Sequence, residues 1–185
     1  MTRFTNRLAG LLATTALATV ALMPTPAANA ESTAVNDGAD ATASLSDIHR
    51  VTANHAVSRL GVIVTFDDLR RHNTGGSSGA TIYLDTKPAR TGPEFALFTG
   101  LEDGTDYQLM RMRNWRPFGE PKACDHTVGL NYTADTARFS VARSCIGLPA
   151  KVRVGVRMVD HHDGSHVITD WMTGPRRYTS WLARG

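Results

Sequence analysis

Four carboxylates, Asp85, Glu94, Asp103 and Asp106, fall at the ends of apolar runs near the middle of the chain. Hard oxygen ligands of this kind suit Ca2+ outside the cell, where the ion gathers about six to eight oxygens. Their spacing matches no known Ca2+ loop. The competing reading is solvated turn carboxylates, with Asp85 and Glu94 capping turns or pairing with Lys87 and Arg90. Asp85 and Glu94 can also be weighed as a glycosidase pair, but two acids in one polar loop lack the opposition across a cleft that this chemistry needs. The aromatic residues Tyr83, Trp115 and Trp171 are candidates for stacking on a ligand ring. Asn114, Arg116 and Pro117 around Trp115 place it on a surface loop, whereas Trp171 and Trp181 in the terminal strands read first as plugs for the ends of a core. His161, His162 and His166 flank an Asp-Gly pair, and that segment reads as a hairpin loop before it reads as a transition-metal site. The Gly-x-Ser-x-Gly string at Gly75–Gly79 lies in a flexible Gly/Ser connection ahead of a strand, not on the strand-to-helix turn of a nucleophile elbow, so no catalytic residue is assigned.

These side chains must be positioned by strands. In Ala80–Gly100, Ala80, Ile82 and Leu84 share one face while Thr81, Tyr83 and Asp85 share the other, and the run Phe95–Phe98 returns after a Pro/Gly loop. The pattern predicts a central β-hairpin with Tyr83 and Asp85 side by side. Leu60–Phe66, Asp106–Arg113, Val128–Tyr132, Phe139–Val141 and Val152–Met158 alternate in the same way. Shorter runs are expected at Ile48–Ala53, Val167–Met172 and Arg177–Leu182, with a turn at Asn54-His55. Asn114–Pro121 reads as a loop because of its two prolines and glycine. Arg143–Ala150 holds a helical turn ended by Gly147 and Pro149. Cys124 and Cys145 flank the Val128–Arg143 hairpin at similar distances, so antiparallel pairing brings them together as a disulfide.

Residues 1–30 have the three parts of a secretory signal: Arg3 and Arg7, the apolar run Leu8–Met23, and the small-residue site Ala28-Asn29-Ala30. That run is shorter than the ~20 residues of a bilayer span. A secreted protein without a membrane span is expected. Residues 31–46 are small and polar, which predicts a disordered linker, with the domain over 47–185. Of 20 Lys and Arg against 17 Asp and Glu, two arginines lie in the signal, leaving 18 cations and 17 acids. A near-neutral balance gives no reason to expect a nucleic-acid partner.

Together these features predict an all-β, single-domain antiparallel β-sandwich of about nine strands, with a closed barrel as its competitor. The order FDDL, IYLDT, GPEF and VARSCIGLP leading into VRVGV resembles a group of small secreted actinobacterial proteins of unknown function. More remotely it is similar to DOMON-like sandwiches and family-9 carbohydrate-binding modules. That resemblance implies a sugar- or haem-binding sandwich, or a structural module beside an enzyme, and leaves open which two of Trp115, Trp171 and Trp181 match a sugar-binding pair. The function expected is a monomeric, non-catalytic extracellular binding module for a glycan or cell-envelope ligand, with no cofactor unless Ca2+. The alternatives are a protein-binding inhibitor or envelope accessory factor and, behind it, a small extracellular hydrolase.

Overall fold

In the computed structural model, residues 30–73, 75–162 and 166–185 are described; the signal expected over 1–30 lies outside them except for Ala30. Twelve strands occur among these residues. The first sheet contains β1 (Glu31–Asn36), β2 (Ile48–His55), β3 (Arg59–Phe66), β8 (His126–Asn131) and β9 (Thr136–Ala142), in the spatial order β1-β2-β3-β9-β8. The second contains β4 (Ser78–Asp85), β5 (Phe95–Gly100), β6 (Tyr107–Arg113), β7 (Arg116–Phe118), β10 (Lys151–Asp160) and β11 (Ile168–Trp171), in the order β11-β10-β4-β5-β6-β7. β12 (Leu182–Ala183) pairs with the start of β10, and every pairing is antiparallel. The chain is thus a β-sandwich and not one closed barrel, with twelve strands where about nine were expected.

Alternation explains the core directly. Val51, Val62, Val64 and Phe139 from the first sheet and Ile82, Leu84, Leu97, Val154 and Val156 from the second form one buried cluster. Each lies at the period-two positions that a pleated strand turns to one side. Arg153, Gly155 and Arg157 sit opposite Asp85, Tyr83 and Thr81, so these six residues share the outer face of the second sheet.

Three expectations are corrected. The linker expected over 31–46 is part of the fold: Glu31–Asn36 pair residue for residue with β2, and Ala41, Ser44 and Ser46 are buried. Strand addition at an edge is driven by backbone hydrogen bonds, which composition does not reveal. Small polar side chains can also be buried when bonded, as Ser44 Oγ is to Asp160 Oδ2 at 2.6 Å. The turn expected at Asn54-His55 is strand. His55 is buried, its Nδ1 3.0 Å from the Leu182 carbonyl, and its Nε2 accepts from Arg143 Nε at 3.1 Å, so the ring is held neutral with its proton on Nδ1. The run expected at Arg177–Leu182 is strand only at its end: Leu182 pairs with Val152, whereas Thr179 meets β10 only by bonds to Val154, and Arg177 and Tyr178 lie over Gly155.

The disulfide joins Cys124 and Cys145 with their Cα atoms 5.9 Å apart, across the β8–β9 hairpin that brings them together. The helical turn is a 3-10 turn, Arg143–Ile146, closed by Gly147 in the left-handed conformation.

Candidate functional site: an aromatic and arginine cleft on the outer sheet

The second sheet has an apolar cluster on the side away from the main core. Tyr83, Ala96 and Met112 are buried there beneath Phe98, Trp115, Trp171 and Tyr178. Tyr83 stacks on Trp171 with centroids 5.5 Å apart and planes 11° apart, and meets Trp115 edge-on at 5.0 Å. Trp115 in turn lies 6.0 Å from Trp171 and 5.5 Å from Tyr178. Tyr83, Trp115 and Trp171, separate candidates in the sequence, are therefore one cluster. Tyr83 is its floor and too buried to stack on a ligand, while Trp115 and Trp171 are half-buried.

Trp115 reaches this place through a two-residue hairpin. The segment expected as a loop contains β7, paired with β6, and between them Asn114 and Trp115 have φ of 50° and 64°. Two positive φ values are what a type I′ hairpin turn requires, and Asn accepts that conformation readily. For a bulky residue such as Trp it is strained, at about 1–3 kcal/mol, and is sustained by the surrounding packing. The indole is also approached by Gly92, itself at φ 87°, where a Cβ would lie 3.1 Å from Trp115 Nε1.

The opposite wall is an excursion of the last segment. Met172 and Thr179 both donate backbone hydrogen bonds to β10, at Val156 and Val154, while the residues between them loop over the sheet. Gly155 makes room for them: a Cβ there would meet the Arg177 carbonyl at 2.8 Å and the Tyr178 ring at 3.2 Å. This excursion carries Arg176, Arg177 and Tyr178 to the aromatic cluster. With Arg90, Gly92, Trp115 and Arg153 they line a cleft of about 660 Å³.

Arg153 is the pivot of the cleft. Its Nε and Nη2 both donate to Asp85 Oδ2, at 2.9 and 2.7 Å, and its guanidinium lies 4.6 Å from the Tyr178 ring and 4.7 Å from the Trp181 ring. Arg176 lies over Trp115 at 5.3 Å and Arg157 over Trp171 at 5.7 Å. The carboxylates near the cleft are engaged: Asp85 by Arg153, and Glu94 by the backbone N–H of Thr86 at 2.8 Å and by Arg90 at 4.0 Å. Arg176 and Arg177 form no ion pair among the described residues, which leaves the cleft cationic. The Tyr178 hydroxyl and Arg157 Nε are buried without a hydrogen-bond partner. Burial first, and the Asp85 charge second, raise the Tyr178 phenol above its ordinary range and keep it neutral.

The four carboxylates considered for Ca2+ do not converge. Asp85 ends β4, whereas Asp103 and Asp106 follow β5, so the antiparallel β4–β5 pair holds them at opposite ends, about 20 Å apart for strands of this length. Asp103 instead meets Arg71 at 3.1 Å, and Asp106 is exposed. The His162 and His166 rings lie 5.3 Å apart, with 163–165 outside the described residues.

Sequence reasoning missed Arg153, Arg176 and Arg177 and did not join them to the aromatic residues as one site. A signal for the first was present: within the Val152–Met158 alternation, the face opposite the valines reads Arg, Gly, Arg. Among the described residues no helix is long and apolar enough to cross a membrane. No protein-family model, curated protein or solved structure matches the chain, so the reading of the site rests on its own geometry.

Proposed function

We propose that this chain is an exported, non-catalytic binding module for an acidic glycan or a similar anionic polymer of the cell envelope. The observation that supports it is the cleft in which Trp115 and Tyr178 stand beside Arg90, Arg153, Arg176 and Arg177. An aromatic ring matches the C–H face of a sugar. Guanidinium groups match carboxylate or phosphate through paired, charge-assisted hydrogen bonds. Aromatic and arginine side chains are also the types that dominate binding energy when they line a desolvated pocket. A protein-binding role, the alternative, calls for a contiguous apolar patch. Among the described residues the exposed large hydrophobics Leu45, Val57, Tyr107, Phe118, Leu148 and Val167 come from six different segments, and Phe118 and the turn of Ile146, Gly147 and Pro149 border one smaller cleft.

Affinity electrophoresis through gels carrying polygalacturonate or a neutral cellulose ether tests the reading. Retardation by the acidic polymer is expected, falling as salt rises. Trp115→Ala should weaken it about 30-fold, the effect of losing an anchor of about 2 kcal/mol. The paired change Arg176→Gln and Arg177→Gln should reduce retardation by the acidic polymer. Equal retardation by both polymers removes the acidic specificity, and no retardation by either overturns the reading.

A further inference from the structure

A second cluster lies away from the cleft, where the segment after β1 folds across the end of β11. Asp40, Asp47 and Asp170 bring one carboxylate oxygen each to within 4.8 Å of one another. Asp47 and Asp170 are each only 2 % exposed. Asp170 Oδ2 accepts from the Ile48 N–H at 2.7 Å, which ties β11 of one sheet to β2 of the other. Its Oδ1 is buried with no donor. Asp47 Oδ1 accepts from the Ala41 N–H at 3.0 Å, holding the 37–47 connection over the cluster. Asp37 stands at the margin: Oδ1 accepts from the Thr173 N–H at 3.0 Å, and Oδ2 is again buried without a donor.

Among the described residues no Lys or Arg forms an ion pair with any of these four carboxylates, and His49, 3.8 Å from Asp47, is the nearest cationic group that pairs with one. Buried carboxylates are ordinarily paired with a cation or bound to a metal. Here acids are gathered and two of their oxygens are left without a donor.

We propose that Asp40, Asp47 and Asp170, with Asp37 beside them, bind a Ca2+ ion that fastens the N-terminal segment to β11. Two oxygens on one Ca2+, each at about 2.3–2.6 Å, lie no more than about 5 Å apart, and the spacing in this cluster meets that limit. An all-oxygen, carboxylate-rich set selects a hard cation over Zn2+ or Cu2+, which favour nitrogen and sulfur. Backbone carbonyls and water complete the shell. The ion is distinct from any ligand of the aromatic cleft, but the two are linked through the chain, because Asp170 is followed directly by Trp171. Fixing the carboxylate also fixes the strand that presents that indole.

The test is thermal unfolding and calorimetric titration of the full folded chain at neutral pH, after chelation, with CaCl2 or MgCl2 added. Stoichiometric Ca2+ binding is expected, with a rise in Tm of about 5–10 °C at a hundredfold excess over Kd. Asp170→Asn keeps an acceptor for the Ile48 N–H and removes the charge. It should fold at least as stably as the parent in chelator and lose the Ca2+ response. If that variant fails to fold, Asp40→Asn, at an exposed position, should weaken Ca2+ binding at least tenfold. Asp103→Asn should leave the response intact. No Tm shift with Ca2+ in the parent, or a full response in whichever of the Asp170 and Asp40 variants folds, overturns the proposal. A response to Mg2+ equal to that for Ca2+ overturns the choice of ion.

Discussion

Replacing Arg153 by Met should destabilise the protein far more than removing a typical surface arginine. Asp85 is 0 % exposed and Arg153 31 % exposed, and the guanidinium supplies both donors to Asp85 Oδ2. Met fills the space between the Tyr178 and Trp181 rings but offers no donor. Oδ2 is then left buried and unpaired, while Oδ1 keeps only the Lys87 N–H at 3.2 Å. Leaving one charge of a buried pair uncompensated costs about 3–5 kcal/mol. Arg153 itself lies near the surface, so we expect the lower end, about 3 kcal/mol. The control is Arg71→Met, which breaks the Arg71–Asp103 pair, 59 % and 52 % exposed, and should cost under about 1 kcal/mol. Urea unfolding followed by tryptophan fluorescence measures both, and the Arg153 variant should also melt about 6–12 °C below the parent. Arg153→Lys should fall between, since an ammonium is a point charge without the paired geometry. If Arg153→Met lies within about 1 kcal/mol of Arg71→Met, the reasoning that burial makes this pair costly to break is refuted.

Two further outcomes follow from the same structure. Replacing Cys124 and Cys145 together by Ser should lower stability by about 3 kcal/mol, the chain-entropy value for a loop closed across 21 residues, measured against the oxidised parent in the same urea titration. Stability should also depend on pH in two opposed ways. Burial, reinforced by the charges of Asp37, Asp40 and Asp47, pushes the Asp170 carboxyl up to about 7 in the metal-free chain. Its contribution is full below the unfolded value of 3.8 and is lost progressively as pH rises to about 7, so in chelator the chain should weaken across that acid-to-neutral range and level off above it. Burial, followed by the Arg143 charge, lowers the His55 ring. That contribution is present above the unfolded value of 6.5 and is lost as pH falls through the folded one. Urea midpoints across pH 4–9, with His55→Gln and Asp170→Asn as controls, separate the two; a profile unchanged by either substitution contradicts these assignments.

The sandwich was legible because its core strands obey the period of two. Val62 and Val64, Ile82 and Leu84, and Val154 and Val156 each declare an inner face, and the same alternation put Tyr83 and Asp85 together on the outer one. The Cys124–Cys145 bond was legible for a related reason, since a hairpin between two cysteines leaves little choice of geometry. β1 was not legible. An edge strand is held by backbone hydrogen bonds, which Glu31–Asn36 form with β2 although their side chains spell a polar spacer. Misreading residues 31–46 as a linker also hid Asp37 and Asp40 as neighbours of Asp47 and Asp170.

What the sequence determined by itself is therefore local: which positions alternate, where the chain must turn, and which pairs a single hairpin brings together. The tertiary structure alone decided which distant side chains meet. Trp115 reaches Tyr83 through a strained hairpin tip, Arg153 reaches Asp85 across the β4–β10 pairing, and Asp47 reaches Asp170 where two sheets touch. Those meetings depend on strand order and on loops crossing a face at Gly155 and Gly92. Such long-range closures leave no periodic trace in the residues that make them.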